Sequence, residues 1–269
     1  QPELYRAFID KSDELLKYVE YAKGETFNED LIMRAYYQMM VHYNDSGYLN
    51  VNIQNNQTVH DDSVDVQFDI SEDVVSKVAK VIIQGNTKTI DKVIRREIEI
   101  FPGEAFNRTK YEDSARNLRL LNFFTADEKG VEPSYAPAEN GKDVNIIYKV
   151  NEKQTGMASV GGGYSERDKL VFTLSFSNGN VFGKGQSVNF NWDMGSRRKA
   201  FEIGFSEPWL FDTKTSFSFD LYNIDRSDYT TAFDQEKRRG GYIRLGRRLK
   251  WPDDSRLYLS YRLENIDYV

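Results

Sequence analysis

Cysteine is absent from the 269-residue chain, and histidine occurs only at His42 and His60. The lack of cysteine excludes disulfide bonds, thiolate metal sites and thiol catalysis. Two histidines without regularly spaced partner ligands do not predict a metal site, so we expect no bound metal and no cofactor. No nucleophile–base pair or carboxylate dyad has an identifiable sequence context, and we therefore expect no enzyme activity.

Long hydrophobic runs and basic blocks are also missing. No segment reaches the roughly 20 apolar residues that a membrane-spanning helix needs. The formal net charge is −6 with lysine and arginine spread along the chain, so no nucleic-acid partner is expected. A β-barrel strand needs only about 9–11 residues with every second one apolar, so the absence of a long apolar run does not exclude a membrane barrel. Residues 1–3 do not resemble a signal peptide, and we expect a removed leader or a start within a longer protein.

The pattern of apolar residues changes near residue 153. Before this point, helical and strand periodicities alternate along the chain. After it, only alternation with a period of two remains. A length of 269 residues suits two or three domains. We therefore predict domains at residues 1–73, 74–153 and 154–269.

The first half contains an internal repeat. Residues 23–28 (KGETFN) match residues 102–107 (PGEAFN), and residues 64–72 match residues 144–152 in the same order. Matches that keep their order indicate two copies of one module.

The second copy predicts the order β-α-α-β-β, with two helices on one face of a small sheet. Thr89 is placed to cap a helix whose apolar residues extend to Ile98, and Asn107 or Thr109 is placed to begin the second helix. The predicted strands lie at residues 78–84, 126–132 and 143–151. In the first copy, helices are predicted near residues 12–22 and 28–44, and strands at residues 3–8, 47–53 and 64–70.

The second half predicts seven antiparallel strands, at residues 157–164, 172–177, 187–194, 201–206, 217–221, 243–249 and 257–264. Such alternation also fits a soluble β-sandwich. Three details favour a membrane barrel instead: an apolar phase rich in Phe, Leu and Ile, charges within the polar phase, and aromatic residues near strand ends. The charges are Asp193, Glu202, Asp220, Arg244 and Arg262. The interfacial aromatics are Trp192, Trp209, Phe211 and Trp251.

Several segments carry a resemblance to a known family. Residues 85–86, 102–107, 118–124 and 144–152 together resemble a POTRA domain. Residues 160–165 (VGGGYS) resemble the first barrel strand of BamA-type outer-membrane assembly factors. Residues 178–187 and 206–212 (SEPWLFD) are similar to two later turns of that barrel. The expected fold is thus α+β POTRA modules (β-α-α-β-β) followed by the antiparallel transmembrane strands of an incomplete β-barrel.

The resemblance implies a core component of the outer-membrane β-barrel assembly machinery, which folds and inserts client proteins. Its implied partners are nascent outer-membrane β-barrel proteins, accessory periplasmic lipoproteins of the assembly complex, and the lipid bilayer. Its implied location is the outer membrane of a Gram-negative bacterium, with the POTRA modules in the periplasm. No cofactor is implied.

The resemblance also implies a lateral seam, at which the first barrel strand pairs weakly with the last and can open for a client. Three consecutive glycines lower the order of this strand and carry no side chains to pack; a bend in the barrel wall is the alternative explanation. The predicted seam strand is Met157, Ala158, Ser159, Val160, Gly161, Gly162, Gly163 and Tyr164. The POTRA edge strands predicted to receive a client or partner contain Tyr48, Leu49, Asn50, Val51, Glu128 and Val131.

Two alternative functions stay open from the sequence. A TamA-like assembly factor or a two-partner-secretion translocator would share the architecture. A passive porin with periplasmic binding modules would differ in class, because it should not accelerate the insertion of a test barrel into liposomes.

Overall fold

The computed structural model describes residues 15–20, 26–61, 63–166, 169–227, 235–249, 251–252 and 255–268. The chain divides into two compact units. The first holds two helix-and-sheet modules, and the second holds a large sheet with the loop segments 86–94, 122–125 and 151–155. No helix in the described ranges has both the length and the apolar character needed to cross a membrane. The strand predicted at residues 3–8 lies outside the described residues, as do residues 12–14 and 21–22 of the helix predicted at 12–22. Of the described part of that helix, residues 15 and 16 are helical and residues 17–20 are not.

The helix predicted at residues 28–44 is confirmed as α1 (Glu29–Asp45). Asn28 caps it, because its side-chain oxygen accepts a hydrogen bond from the N–H of Asp30. Apolar residues three or four positions apart form its buried stripe, and Met39 and Tyr43 from that stripe share a core with Ile53. Ile53 lies on β1 (Asn52–Val59), which pairs antiparallel with β2 (Val64–Ser71).

The strand predicted to begin at residue 47 begins at Asn52 instead. Gly47 follows α1 with a φ of +95°. The N–H of Gly47 donates to the carbonyl of Asn44, and the N–H of Tyr48 donates to the carbonyl of Tyr43. This Schellman arrangement is supported by the rings of Tyr43 and Tyr48, whose centroids lie 5.7 Å apart. Placing Tyr48, Leu49, Asn50 and Val51 in an edge strand is therefore wrong, because this backbone closes the helix.

The second module follows the predicted order. Its elements are β3 (Val78–Gln84), α2 (Asp91–Arg95), α3 (Arg108–Leu120), β4 (Val131–Pro137) and β5 (Val144–Val150). The central strand β5 is parallel to β3 and antiparallel to β4. Asn107 caps α3 by accepting a hydrogen bond from the N–H of Lys110. Leu118 of α3 and Ile146 and Tyr148 of β5 are fully buried in the core.

Two boundaries in this module differ from the prediction. Helix α2 ends at Arg95 and does not reach Ile98, because the N–H of Ile98 turns back to Arg95 and that of Glu99 donates to Ser114 Oγ. The strand predicted from residue 126 begins at Val131, because Glu128–Gly130 form a 3-10 turn. Glu128 is therefore outside the edge strand, whereas Val131 is its first residue.

The two modules are joined through Asp45, the last residue of α1. Its carboxylate accepts hydrogen bonds from the N–H and the hydroxyl of Thr109, both at 2.8 Å. Its carbonyl accepts a third from the side-chain amide of Asn107 at 3.0 Å. Thr109 lies in the first turn of α3, so Asp45 places a negative charge where that helix favours one.

All seven strands predicted in the second half are confirmed, and each pairs antiparallel with its neighbour in sequence. Their bounds are β6 (Gly156–Ser165), β7 (Lys169–Val181), β8 (Gln186–Gly195), β9 (Arg198–Glu207), β10 (Thr215–Ser227), β11 (Gln235–Arg248) and β12 (Arg256–Tyr268). Among the described residues the sheet is open, with β6 and β12 at its edges.

The faces of this sheet have the opposite polarity to those of a soluble protein. On one face large apolar side chains are exposed, as at Leu259, which is 72% exposed. On the other face Asp193 is 7% exposed, and it accepts hydrogen bonds from Thr173 Oγ1 at 2.8 Å and Arg198 Nε at 3.0 Å. An apolar outer face and a polar, hydrogen-bonded inner face characterise a transmembrane barrel. The sheet is therefore the wall of an incomplete barrel.

Glycines on the polar face are covered by side chains of neighbouring strands. A Cβ at Gly204 would overlap the side chains of Asn189 and Asp220, which lie opposite it on β8 and β10. Tyr222 extends across Gly240 and donates its hydroxyl to Glu264 Oε1, two strands away, at 2.7 Å. Because Gly204 and Gly240 have no side chains, side chains from the strands on either side of each glycine can approach across it.

Candidate functional site: the first strand of the large sheet

Strand β6 forms one edge of the large sheet. It pairs with β7 from Gly156 opposite Asn178 to Ser165 opposite Lys169, and no other described strand pairs with it. One set of its backbone N–H and C=O groups therefore faces no strand in the described ranges. The structure brings all eight predicted seam residues together on β6 and exposes every one of them: Met157, Ala158, Ser159, Val160, Gly161, Gly162, Gly163 and Tyr164.

Steric crowding does not require glycine at the three glycine positions of β6. A Cβ at Gly161 or Gly163 would meet no atom within 4 Å, and one at Gly162 would meet the Phe172 ring at 3.5 Å, an ordinary contact. None of the three has a positive φ. Because glycine adds no side-chain contact and loses the most backbone entropy on ordering, the run weakens the pairing of β6 with β7.

The residues that precede β6 are held by the carboxylate of Glu152. Its Oε2 accepts hydrogen bonds from the N–H and hydroxyl of Thr87 and the N–H of Lys88, at 2.8–2.9 Å. Its Oε1 accepts from the N–H of Thr89 at 2.6 Å. Partial burial alone would raise the pKa of Glu152, but the hydrogen bonds from Thr89, Lys88 and Thr87 outweigh it and lower the pKa to about 2.

The same loop is bonded to the turn between β7 and β8. The buried side-chain amide of Asn180 donates to Thr89 Oγ1 at 2.8 Å, and Asn180 Oδ1 accepts from the N–H of Gly185 at 2.7 Å. The N–H of Ile90 donates to the carbonyl of Gly183 at 3.0 Å. Gly183 has a φ of +71°, and a Cβ there would overlap the carbonyl of Lys88, so only glycine fits this approach.

Three of the four predicted interfacial aromatics lie at the end of the sheet where β6 begins. Trp209 and Phe211 are in the turn after β9, and Trp251 is in the turn after β11. Phe182, which the sequence did not single out, is in the turn after β7. Phe182, Phe211 and Trp251 are more than four-fifths exposed. The fourth, Trp192, lies within β8 on the apolar face, opposite Leu174 and Phe201. Their contact with a bilayer interface stays a prediction.

Strand β4 is one edge of the second module's three-stranded sheet, and β3 is the other. Val131 begins β4, and Pro133 and Pro137 lie on the same alternate set of positions. Proline has no N–H, so one side of this strand lacks two donors that an added strand would need.

Sequence reasoning missed the roles of Glu152, Thr89 and Asn180. Glu152 entered the sequence analysis only as the last residue of the repeated segment 144–152, and the donors to its carboxylate lie 63 to 65 residues earlier in the chain. A Thr-Lys-Thr segment after the Gly-Asn turn was the available signal. Within the described ranges, no group of three or more His, Cys, Asp or Glu side chains is arranged to hold a metal ion.

Family models match most of the chain. The POTRA model, described as a surface antigen variable number repeat, matches residues 9–73 and 76–153, and the Omp85 superfamily domain matches residues 180–269. The outer membrane protein assembly factor BamA of Neorickettsia risticii is 26% identical over 258 residues, which cover 95% of this chain and 34% of that protein. The chain spans 26%, 27% and 34% of three curated relatives that it matches, about a quarter to a third of their length.

Two solved structures share the fold. BamA from Haemophilus ducreyi lacking POTRA domains 1–3 superposes with a TM-score of 0.74 at 18% identity, over 96% of this chain and 55% of that chain. CdiB from Escherichia coli superposes with a TM-score of 0.55 at 12% identity, over 96% of this chain and 49% of that chain. The POTRA repeats belong to the periplasm and the sheet to the outer membrane. The POTRA model matches more than half of the chain and the Omp85 superfamily domain matches most of the large sheet, so the chain belongs to the POTRA family and carries an Omp85 superfamily domain.

Proposed function

We propose that the protein containing this chain folds and inserts client β-barrel proteins into the outer membrane, as the core component of an assembly machinery. The observation that carries the proposal is the exposed edge strand β6, whose three glycines are not demanded by packing. The assembly-factor name of the N. risticii relative supports the same function.

The physical argument begins with the unpaired backbone of β6. In hydrocarbon an unsatisfied N–H or C=O group costs several kcal/mol, so another strand must cover this edge. Backbone groups recognise a strand without reading its side chains, which suits clients of many sequences. The glycine run weakens the pairing of this strand, so the covering strand can be exchanged for one from a client. The free energy for insertion then comes from client folding and from burial of its apolar face in lipid.

The remaining parts of the chain have supporting roles in this proposal. POTRA modules at residues 1–73 and 74–153 would receive unfolded clients and accessory periplasmic lipoproteins, and the barrel wall would begin at residue 154. Pro133 and Pro137 limit strand addition at β4.

The proposal is tested with the full-length protein in phospholipid vesicles and an unfolded client barrel, by following heat-modifiable gel mobility of the client over time. We expect insertion to be faster than into empty vesicles. Replacing Gly161, Gly162 and Gly163 together by valine should strengthen the seam and slow insertion several-fold. The control is Ser218→Val, which adds a valine to the polar face of β10, away from the edge.

The two results have separate meanings. A wild-type protein that gives no acceleration would indicate a passive pore and end the assembly proposal. A triple-valine variant that folds and inserts clients at the wild-type rate would leave assembly intact and remove β6 as the strand that opens.

A further inference from the structure

Hydrogen bonds form a closed ring around the start of β6. Glu152 holds the loop residues Thr87–Thr89, the hydroxyl of Thr89 accepts from Asn180, and the N–H of Asn180 donates to Asn178 Oδ1 at 2.9 Å. Asn178 Oδ1 also accepts from the hydroxyl of Thr155 at 3.1 Å, which returns the ring to the segment after Glu152. The start of β6 is thereby bonded both to the loop and to the turn between β7 and β8.

The strongest part of this ring is buried. Thr89 is 2% exposed and Asn180 is 8% exposed. A buried hydrogen bond whose partner is removed leaves a desolvated polar group, which costs more than the bond itself contributes. The N–H of Lys153 also donates to the carbonyl of Phe123 at 2.9 Å, so the backbone on the other side of Glu152 is fixed as well.

The glycine run of β6 has much less side-chain support. Gly161, Gly162 and Gly163 supply no side chains, and Tyr164 is 69% exposed. Side chains therefore hold the strand firmly at Gly156 and weakly along the glycine run.

We infer that Thr89, Glu152 and Asn180 are positioning residues that fix the start of β6 in register with β7. The inference rests on the proposed function, in which β6 opens for a client. At the other end of β6, Ser165 pairs with Lys169 only four positions later in the chain. A strand fixed at both ends keeps its register with β7 while its outer edge faces a client. A client strand would then meet an edge in constant register, whichever sequence the client has.

The matched variants change one hydroxyl. Thr89→Val removes Oγ1 but keeps the branched shape, which leaves the amide of Asn180 without its acceptor. Thr89→Ser keeps the hydroxyl and should restore the ring. Lys92→Ala, in α2 and three residues after Thr89, removes only the ion pair with Asp212, and because both side chains are more than 60% exposed it should change little.

The measurement is amide hydrogen exchange of the full-length protein in vesicles, without client, read at residues 156–159 and 160–163. In the wild type, residues 156–159 should exchange more slowly. Thr89→Val should speed their exchange about tenfold, the size expected from one lost buried hydrogen bond, and Thr89→Ser and Lys92→Ala should not. If Thr89→Val does not fold, Asn180→Ala is compared with Asn180→Asp, whose carboxylate can accept from both Gly185 and the Thr89 hydroxyl.

Equal exchange in the two segments in the wild type, or unchanged exchange at residues 156–159 in a folded Thr89→Val, would overturn the inference. Exchange is recorded without client, so its result does not depend on whether the protein inserts barrels. Failure of client insertion in the vesicle assay would instead end the proposed function and leave the held strand end as a structural fact.

Discussion

Glycines at two places in the same sheet have opposite consequences. At Gly162 on β6, a side chain would fit in ordinary contact with Phe172. At Gly204 on β9, the same position is occupied by Asn189 and Asp220 from the neighbouring strands. The first glycine removes contacts from its strand, and the second permits contacts between others.

The difference shows that glycine content alone does not mark a weak strand. What matters is whether a neighbouring side chain fills the space that the missing Cβ leaves. By this criterion the sheet is loosely held at β6 and interlocked from β8 to β12, so we expect opening to be confined to one edge.

The largest expected effect comes from adding a side chain at Gly204, where neighbouring side chains already occupy the space. Gly204→Val should displace Asn189 and Asp220, and overpacking of this kind costs about 1–3 kcal/mol or more. The folded, heat-modifiable form should be lost or should unfold at clearly lower urea concentration. A variant as stable as the wild type would contradict the interlocked description of the polar face.

A smaller loss is expected from the bond that crosses Gly240. Tyr222→Phe removes the hydroxyl that donates to Glu264, and Arg238 Nε stays 3.5 Å from the same carboxylate oxygen. A hydrogen bond to a charged group contributes about 1.5–3 kcal/mol, and exposure to water inside the barrel should bring the loss to the lower end. Urea unfolding in detergent measures it, with Tyr164→Phe on β6 as the control.

A glycine-to-valine substitution on β6 should change stability in the opposite direction to Gly204→Val. Gly162→Val should stabilise the pairing with β7 by about 1 kcal/mol, because valine is favoured in strands and fits beside Phe172. Slower amide exchange at residues 161–164 would measure this. If Gly162→Val and Gly204→Val both destabilise the sheet, the two kinds of glycine are not different.

The smallest effect is local and depends on pH. The pKa of Glu152 is lowered from 4.5 to about 2. The stabilisation is therefore complete above about pH 4.5 and is lost as the pH falls towards 2. The amide proton shift of Thr89, followed by NMR in micelles, should titrate near pH 2 in the wild type and stay flat in Glu152→Gln. A midpoint near 4.5 would show that the carboxylate is not held by the loop.

The sequence predicted what depends on local periodicity and failed where distant residues decide. Alternation located all seven strands of the sheet, and Asn28 and Asn107 correctly marked two helix starts. The Schellman turn at Gly47 was missed because the Gly-Tyr-Leu segment also reads as the start of a strand. For the candidate site, alternation and the glycine run located β6. The hydrogen bonds that hold its start could not be predicted, because residues 87–89 lie beside Glu152 only in the folded chain. Strand register, which places Asp220 beside Gly204, has no local signal.

Asp45 has a further consequence for the pair of POTRA repeats. A negative charge at the end of α1 opposes the dipole of its own helix, yet the same charge stabilises the start of α3. The first repeat therefore contains a residue that is unfavourable alone and favourable only when its neighbour is folded. The two repeats are thermodynamically interdependent. A cut between them should therefore lower the free energy of unfolding of both.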